Sequence, residues 1–170
     1  MPRMQKKILL AAMIVCASVG TASAGGVPGS IGVGAEFQLS GIGGLSINFD
    51  AGKFHAGGFL GYFNGAGDNN TTVDFGGRFF YHLAATASSD FSIGGSLGIQ
   101  NANSQPGNAN RQTNLFIEPS FQIRAFIASN VALSFTGGVE FGELDNPGNS
   151  AAELNFTGNI IGEGGIHYYF

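Results

Sequence analysis

Between its turn signals the chain alternates apolar and polar residues with a period of two, and nowhere sustains a helical period. Successive strand side chains point to opposite faces, so each alternating run predicts a strand with one apolar and one polar face. Eight such runs cover residues 30–40, 45–51, 54–64, 72–82, 91–100, 113–125, 131–142 and 153–170. In the first, Ile31, Val33, Ala35, Phe37 and Leu39 share a face, with Gly32, Gly34, Glu36, Gln38 and Ser40 opposite. The fourth sets Val73, Phe75, Phe79 and Tyr81 against Asp74, Arg78 and His82, and the sixth sets Leu115, Ile117, Phe121 and Ile123 against Asn114, Glu118, Gln122 and Arg124. The third is the least regular, because Phe59 and Phe63 fall on its polar face. Pro119 cannot donate a ladder hydrogen bond, and a bulge is expected there. Eight strands joined by turns predict an all-β fold, an eight-stranded antiparallel up-and-down barrel.

A period of two does not say which face is buried. A soluble barrel puts apolar residues inside, and a membrane barrel puts them outside. The polar faces here carry Gly, Ser, Asn and a few charges, with almost no Lys, unlike a solvated surface of mixed charge. Strands of about ten residues suit a tilted bilayer crossing. Bulky apolar-face aromatics fall near strand ends: Phe49, Phe54, Tyr81, Phe91, Tyr168 and Phe170 toward one rim, and Phe37, Tyr62, Phe141 and Phe156 toward the other. Such girdles mark the edges of a bilayer. The expected barrel is therefore transmembrane, with both termini on one side.

The front of the chain has a different character. Arg3, Lys6 and Lys7 precede a mostly apolar stretch from Ile8 to Val19, and Ala22-Ser23-Ala24 supplies a small-residue cleavage pattern. Residues 1–24 are expected to be a cleaved signal peptide with Ala22 and Ala24 as its cleavage determinants, leaving 25–170 as the barrel domain. The only cysteine, Cys16, would leave with it. The mature chain would keep four basic residues, Lys53, Arg78, Arg111 and Arg124, against eleven carboxylates. An acidic chain of this kind does not bind nucleic acid by neutralising phosphates.

The last eight residues, Glu163-Gly164-Gly165-Ile166-His167-Tyr168-Tyr169-Phe170, resemble the C-terminal assembly signal of bacterial outer-membrane β-barrels. Glu163, Gly165, Tyr168 and Phe170 fill its four defined positions. With the strand count and the leader, the chain resembles the group of small OmpX, OmpA-barrel and opacity proteins. That resemblance implies an integral outer-membrane location in a Gram-negative cell and a monomer in contact with lipopolysaccharide. It also implies dependence on periplasmic chaperones and on the assembly machinery that would read Tyr168 and Phe170. The connection at 41–44 is barely a hairpin, which departs from the long loops of opacity adhesins.

An eight-stranded barrel has room inside for side chains and little more. The expected luminal charge network is Glu36, Asp74, Arg78, Glu118, Arg124, Glu140 and Glu163, joined by Asp50, His55, His82 and His167. Buried arginines among carboxylates require ion-pair networks, which would plug the barrel and fix its register. The other reading is a constriction selective for small cations. It rests on luminal glycines (Gly32, Gly57, Gly61, Gly76, Gly94, Gly98 and Gly138) leaving space. No catalytic, cofactor or metal site is expected. His55 and His82 look isolated on different strands, His167 has no serine beside it in the chain, and a lipid-modifying enzyme would need a lipid-facing nucleophile.

Overall fold

A computed structural model of the chain describes residues 27–38, 43–65, 71–103, 111–144 and 157–170. Its eight strands are β1 (Ile31–Gln38), β2 (Gly43–Asp50), β3 (Phe54–Asn64), β4 (Thr71–Ala85), β5 (Ser89–Asn103), β6 (Arg111–Ala128), β7 (Val131–Leu144) and β8 (Thr157–Tyr169). Each pairs antiparallel with the next, and β8 returns to β1 to close the barrel. Closure leaves no sheet edge to be satisfied by another chain. The expected leader at 1–24, with Ala22 and Ala24, lies outside the described residues, as do 39–40 and 153–156.

Short turns at 51–53, 86–88 and 129–130 lie at one end of the barrel. Gly52 takes a positive φ of 85°, which a side chain would disfavour. The two ends of the barrel chain meet here. The amide of Ile31 donates to the Phe170 carbonyl at 3.1 Å, and that of Phe170 donates to the Ile31 carbonyl at 3.0 Å. We call this the turn end. The opposite end carries the connections between β1 and β2, β3 and β4, β5 and β6, and β7 and β8.

The barrel is inside out relative to a soluble domain. Leu45, Ile47, Leu60, Phe75, Leu97, Ile117 and Phe135 are exposed on the exterior, whereas Asp50, Asp74, Glu118 and Arg124 are buried within. Pairing partners in adjacent strands share a face, so the polar positions of all eight strands line one interior, which also takes in Phe80, Phe116, Phe126 and Tyr169. The aromatic rims are less sharp than the sequence suggests. Phe75, Phe79, Phe121 and Phe135 also lie on the exposed face, between the residues of the two rims.

Two expectations need correction. Pro119 does not create a bulge: Ile117↔Phe141 and Ser120↔Gly138 keep one register on either side of it. Its missing donor interrupts the ladder to β7 without inserting a residue, while Pro119 stays opposite Gly95 on the β5 side. The irregularities fall instead between His82 and Ala84 and between Phe126 and Ala128. Both lie next to turn-end hairpins, where an extra residue lets the strand bend.

Candidate functional site

The lumen contains two arginine-centred networks. Arg124 projects from β6 and is 1% exposed. Its Nε donates to both carboxylate oxygens of Asp90 on β5, at 3.1 and 2.9 Å. Its Nη1 donates to the Tyr169 hydroxyl on β8 at 2.9 Å, and its Nη2 donates to Asp50 on β2 at 2.7 Å. The same Nη2 lies 3.1 Å from His82 Nε2 on β4. Rings of Phe126 and Tyr169 flank the guanidinium at 5.5 and 5.8 Å, at cation–π distance. One side chain thus ties together five strands, and every guanidinium nitrogen has a partner. Asp50 and Asp90 share the one guanidinium, and the hydrogen bonds to it offset part of the desolvation cost of the group.

Arg78, on β4, is held more loosely. It makes a two-pronged ion pair with Glu36 of β1, Nη1 donating at 2.7 Å and Nη2 to the second oxygen. Glu163 on β8 is 4.0 Å away, and the Phe59 ring lies 4.9 Å from the guanidinium carbon. The Arg78 Nε has no protein partner. Toward the loop end, Asp74 Oδ1 and Glu118 Oε1 are buried without a hydrogen-bonding side chain or amide, and Glu140 hydrogen-bonds Glu118. Asp74, Glu118, Glu140 and Glu163 therefore gather around a single arginine.

Closure also brings together residues that looked solitary in the sequence. His55 and His82 are not isolated: His55 Nδ1 lies 2.8 Å from His82 Nε2 across the β3–β4 pair. His167 does have a serine beside it, since Ser46 Oγ of β2 is 2.6 Å from its Nε2. Glu36 approaches that same nitrogen at 3.2 Å, and Nδ1 has no partner. A nucleophile–base–acid relay needs the acid on the other ring nitrogen. Both residues are buried inside the barrel and not on its apolar exterior. Among the described residues no three His, Cys, Asp or Glu converge to hold a metal ion.

The luminal glycines do not leave space. Gly32, Gly57, Gly61, Gly76 and Gly98 each stand opposite a side chain that leans into the position a Cβ would take, whereas that position at Gly94 meets the Phe79 and Phe80 backbone and at Gly138 the Pro119 backbone and Ser120. Tyr169 covers Gly32 with ring atoms 2.7 Å from that position, Phe59 covers Gly76 at 2.6 Å, and Phe116 covers Gly98 at 2.4 Å. Asn48 fills Gly57 in the same way, and Asp74 leans over Gly61. These pairs are direct cross-strand partners. An aromatic ring laid over an opposing glycine fills the barrel without strain, an arrangement known to rescue glycine positions in sheets. The alternation puts Phe59, Phe63 and, with His167, Tyr169 on polar faces, and gives Phe80, Phe116 and Phe126 no place. Phe80, Phe116, Phe126 and Tyr169 are all buried inside, with Phe80 fully enclosed and stacked on His55. The cavity bounded by Glu36, Phe59, Asp74, Arg78 and Glu163 measures about 20 Å³. That is the size of one water molecule.

The C-terminal octet divides between the two faces. Glu163 and Gly165 point into the lumen, where the Cβ position of Gly165 is 2.5 Å from Ser134 Oγ. Tyr168 lies on the other face, and Phe170 is 69% exposed.

A closed eight-stranded barrel with an apolar exterior and a polar interior is a barrel of the outer-membrane kind, integral to the bilayer. The fold is similar to the crystal structure of the N-terminal β-barrel domain of Pseudomonas aeruginosa OprF. The TM-score is 0.64 with 12% identity, over 84% of this chain and 98% of that domain. No protein-family model and no curated protein matches the sequence.

Proposed function

We propose that the chain is exported through a leader at 1–24, cleaved after Ala24, and works in the outer membrane as a plugged barrel with a structural or surface-anchoring role. The observation that carries this reading is the filled lumen, in which two arginine networks and the glycine-backed rings occupy the axis. A plug of that density favours rigidity over transport. It leaves interaction with other molecules to the loop end, in contact with lipopolysaccharide. The barrel acts as a monomer without a cofactor and is not a catalyst. Glu163, Gly165, Tyr168 and Phe170 serve as the signal for the assembly machinery, after periplasmic chaperones have carried the chain across. The exposed Phe170 side chain, held by backbone hydrogen bonds to Ile31, supports this.

A second reading, a narrow cation path, draws on the surplus carboxylates around Arg78 and on the buried unpaired oxygens of Asp74 and Glu118. Planar-bilayer conductance of the purified barrel separates the two. A silent bilayer supports the plug, and discrete cation-selective steps that change on Arg78→Ala would replace it with the channel. Deleting Phe170 tests the assembly signal: export should persist while outer-membrane assembly falls, and unchanged assembly would remove that assignment.

A further inference from the structure

Glu118 of β6 and Glu140 of β7 hydrogen-bond each other inside the lumen. A carboxylate can only accept, so this bond requires a proton on one of the two groups. The register explains the contact. Ile117↔Phe141 and Ser120↔Gly138 flank the position, and on that same register Glu118 stands directly opposite Glu140. Like charges directly opposite repel, and two carboxylates in contact do not both stay ionised. The pair occupies the stretch of the β6–β7 ladder that Pro119 interrupts, since Pro119 has no amide hydrogen to donate. A side-chain bond therefore stands where a backbone bond is missing.

The surroundings favour the proton over a second charge. Glu118 is buried, and its Oε1 has no protein donor. The Ser96 hydroxyl, across the β5–β6 pair, is its other partner. A carboxylate spreads its charge over both oxygens, and burying one of them without a donor is costly. The carbonyl oxygen of a neutral acid carries less charge and bears that position at a lower cost. The other charged groups facing the pair are Arg78 and Asp74 from β4 and Glu163 from β8. Arg78 is already held by Glu36 of β1, while Asp74 and Glu163 are themselves carboxyl groups. Glu140 is half-buried toward the loop end, so water can deliver and remove the proton there.

We infer that Glu118 and Glu140 form a proton-binding site that holds one proton at neutral pH and stitches β6 to β7 across the break at Pro119. Glu118, the more enclosed of the two, is the acid and donates to the Glu140 carboxylate. In the unfolded chain both side chains are solvated and ionised at neutral pH, so folding takes up the proton. The stabilisation is present while the pair keeps its proton and is lost as rising pH removes it. Two ionised carboxylates then push the strands apart at the break. The ladder on either side holds, so the response is local opening of one seam and not unfolding. The site is independent of whether the barrel conducts.

The test uses the full chain expressed in cells, purified from the outer membrane in detergent micelles and labelled with ¹³C at the glutamate carboxyls and ¹⁵N at the backbone. At neutral pH the carboxyl signals of Glu118 and Glu140 should show one proton between them. As pH rises the two signals should move together. Once the pair has ionised, amides beside the break in β6 and β7 should exchange about tenfold faster than in Glu140→Gln at the same pH. The side-chain amide of that variant donates to a Glu118 carboxylate and accepts from a Glu118 acid, so its seam stays closed in either state. Two ionised carboxylates at neutral pH overturn the proposal. So does equal exchange in the unmodified chain and the variant after ionisation. Should Glu140→Gln fail to fold, Glu118→Gln, which donates to the Glu140 carboxylate, takes its place in the comparison. The carboxyl signals at neutral pH are read on the unmodified chain in any case.

Discussion

The two arginines occupy the same barrel and the same dielectric, yet their surroundings differ in completeness. Arg124 spends all three of its nitrogens on partners from four other strands. Arg78 spends two on one carboxylate, leaves Nε without a protein partner and keeps Glu163 at 4.0 Å. The turn end is thus closed by a network in which every guanidinium nitrogen is bonded, whereas the middle and loop end leave Arg78 Nε, Asp74 Oδ1 and Glu118 Oε1 without partners. A satisfied buried network rigidifies, and a partly satisfied one stays responsive. The barrel therefore has a locked end and an adaptable one.

Substitutions can break that contrast in a ranked way. Arg124→Ala should have the largest effect, because it strands Asp50 and Asp90 as buried unpaired charges. A loss of about 3–5 kcal/mol is expected in urea unfolding of the micelle-bound barrel. Arg78→Ala should cost less, about 1.5–3 kcal/mol by the same assay, since only Glu36 loses a close partner. Equal losses would erase the distinction between the ends. Gly98→Ala places a methyl 2.4 Å from the Phe116 ring and should cost about 1–3 kcal/mol as that ring is displaced. Gly164→Ala is the matching control: it meets nothing within 4 Å and should change stability by about 0.5 kcal/mol or less.

Alternation along the chain was enough to read the barrel and its polarity, because a period of two fixes faces as soon as one face is assigned. It placed Glu36, Asp74, Arg78, Glu118, Arg124, Glu140 and Glu163 on a common side without any knowledge of pairing. It could not read what depends on register. Phe116 fits inside because Gly98 stands opposite, and Tyr169 because Gly32 does. Aligning the fifth and sixth strands as a hairpin would have brought Gly98 and Phe116 together. The Ser46–His167 and Arg124–Asp50 contacts are harder to anticipate. They cross the lumen between strands that are not neighbours along the ladder, so closure alone creates them. Pro119 misled for a different reason: a missing donor interrupts a ladder but does not by itself add a residue to it.

The packed lumen is the claim on which the rest depends, and a single thiol tests it most directly. Ser92 is fully buried beside Asp90, and its Oγ donates to that carboxylate at 3.2 Å. Cys16 is the only cysteine of the chain, so with Cys16→Ser a cysteine at position 92 has no competitor. Ser92→Cys in the folded, heat-modifiable barrel should resist a water-soluble maleimide until urea unfolds it. Rapid labelling of the folded barrel would mean that water and small solutes pass the Arg124 network, and would contradict a plugged interior.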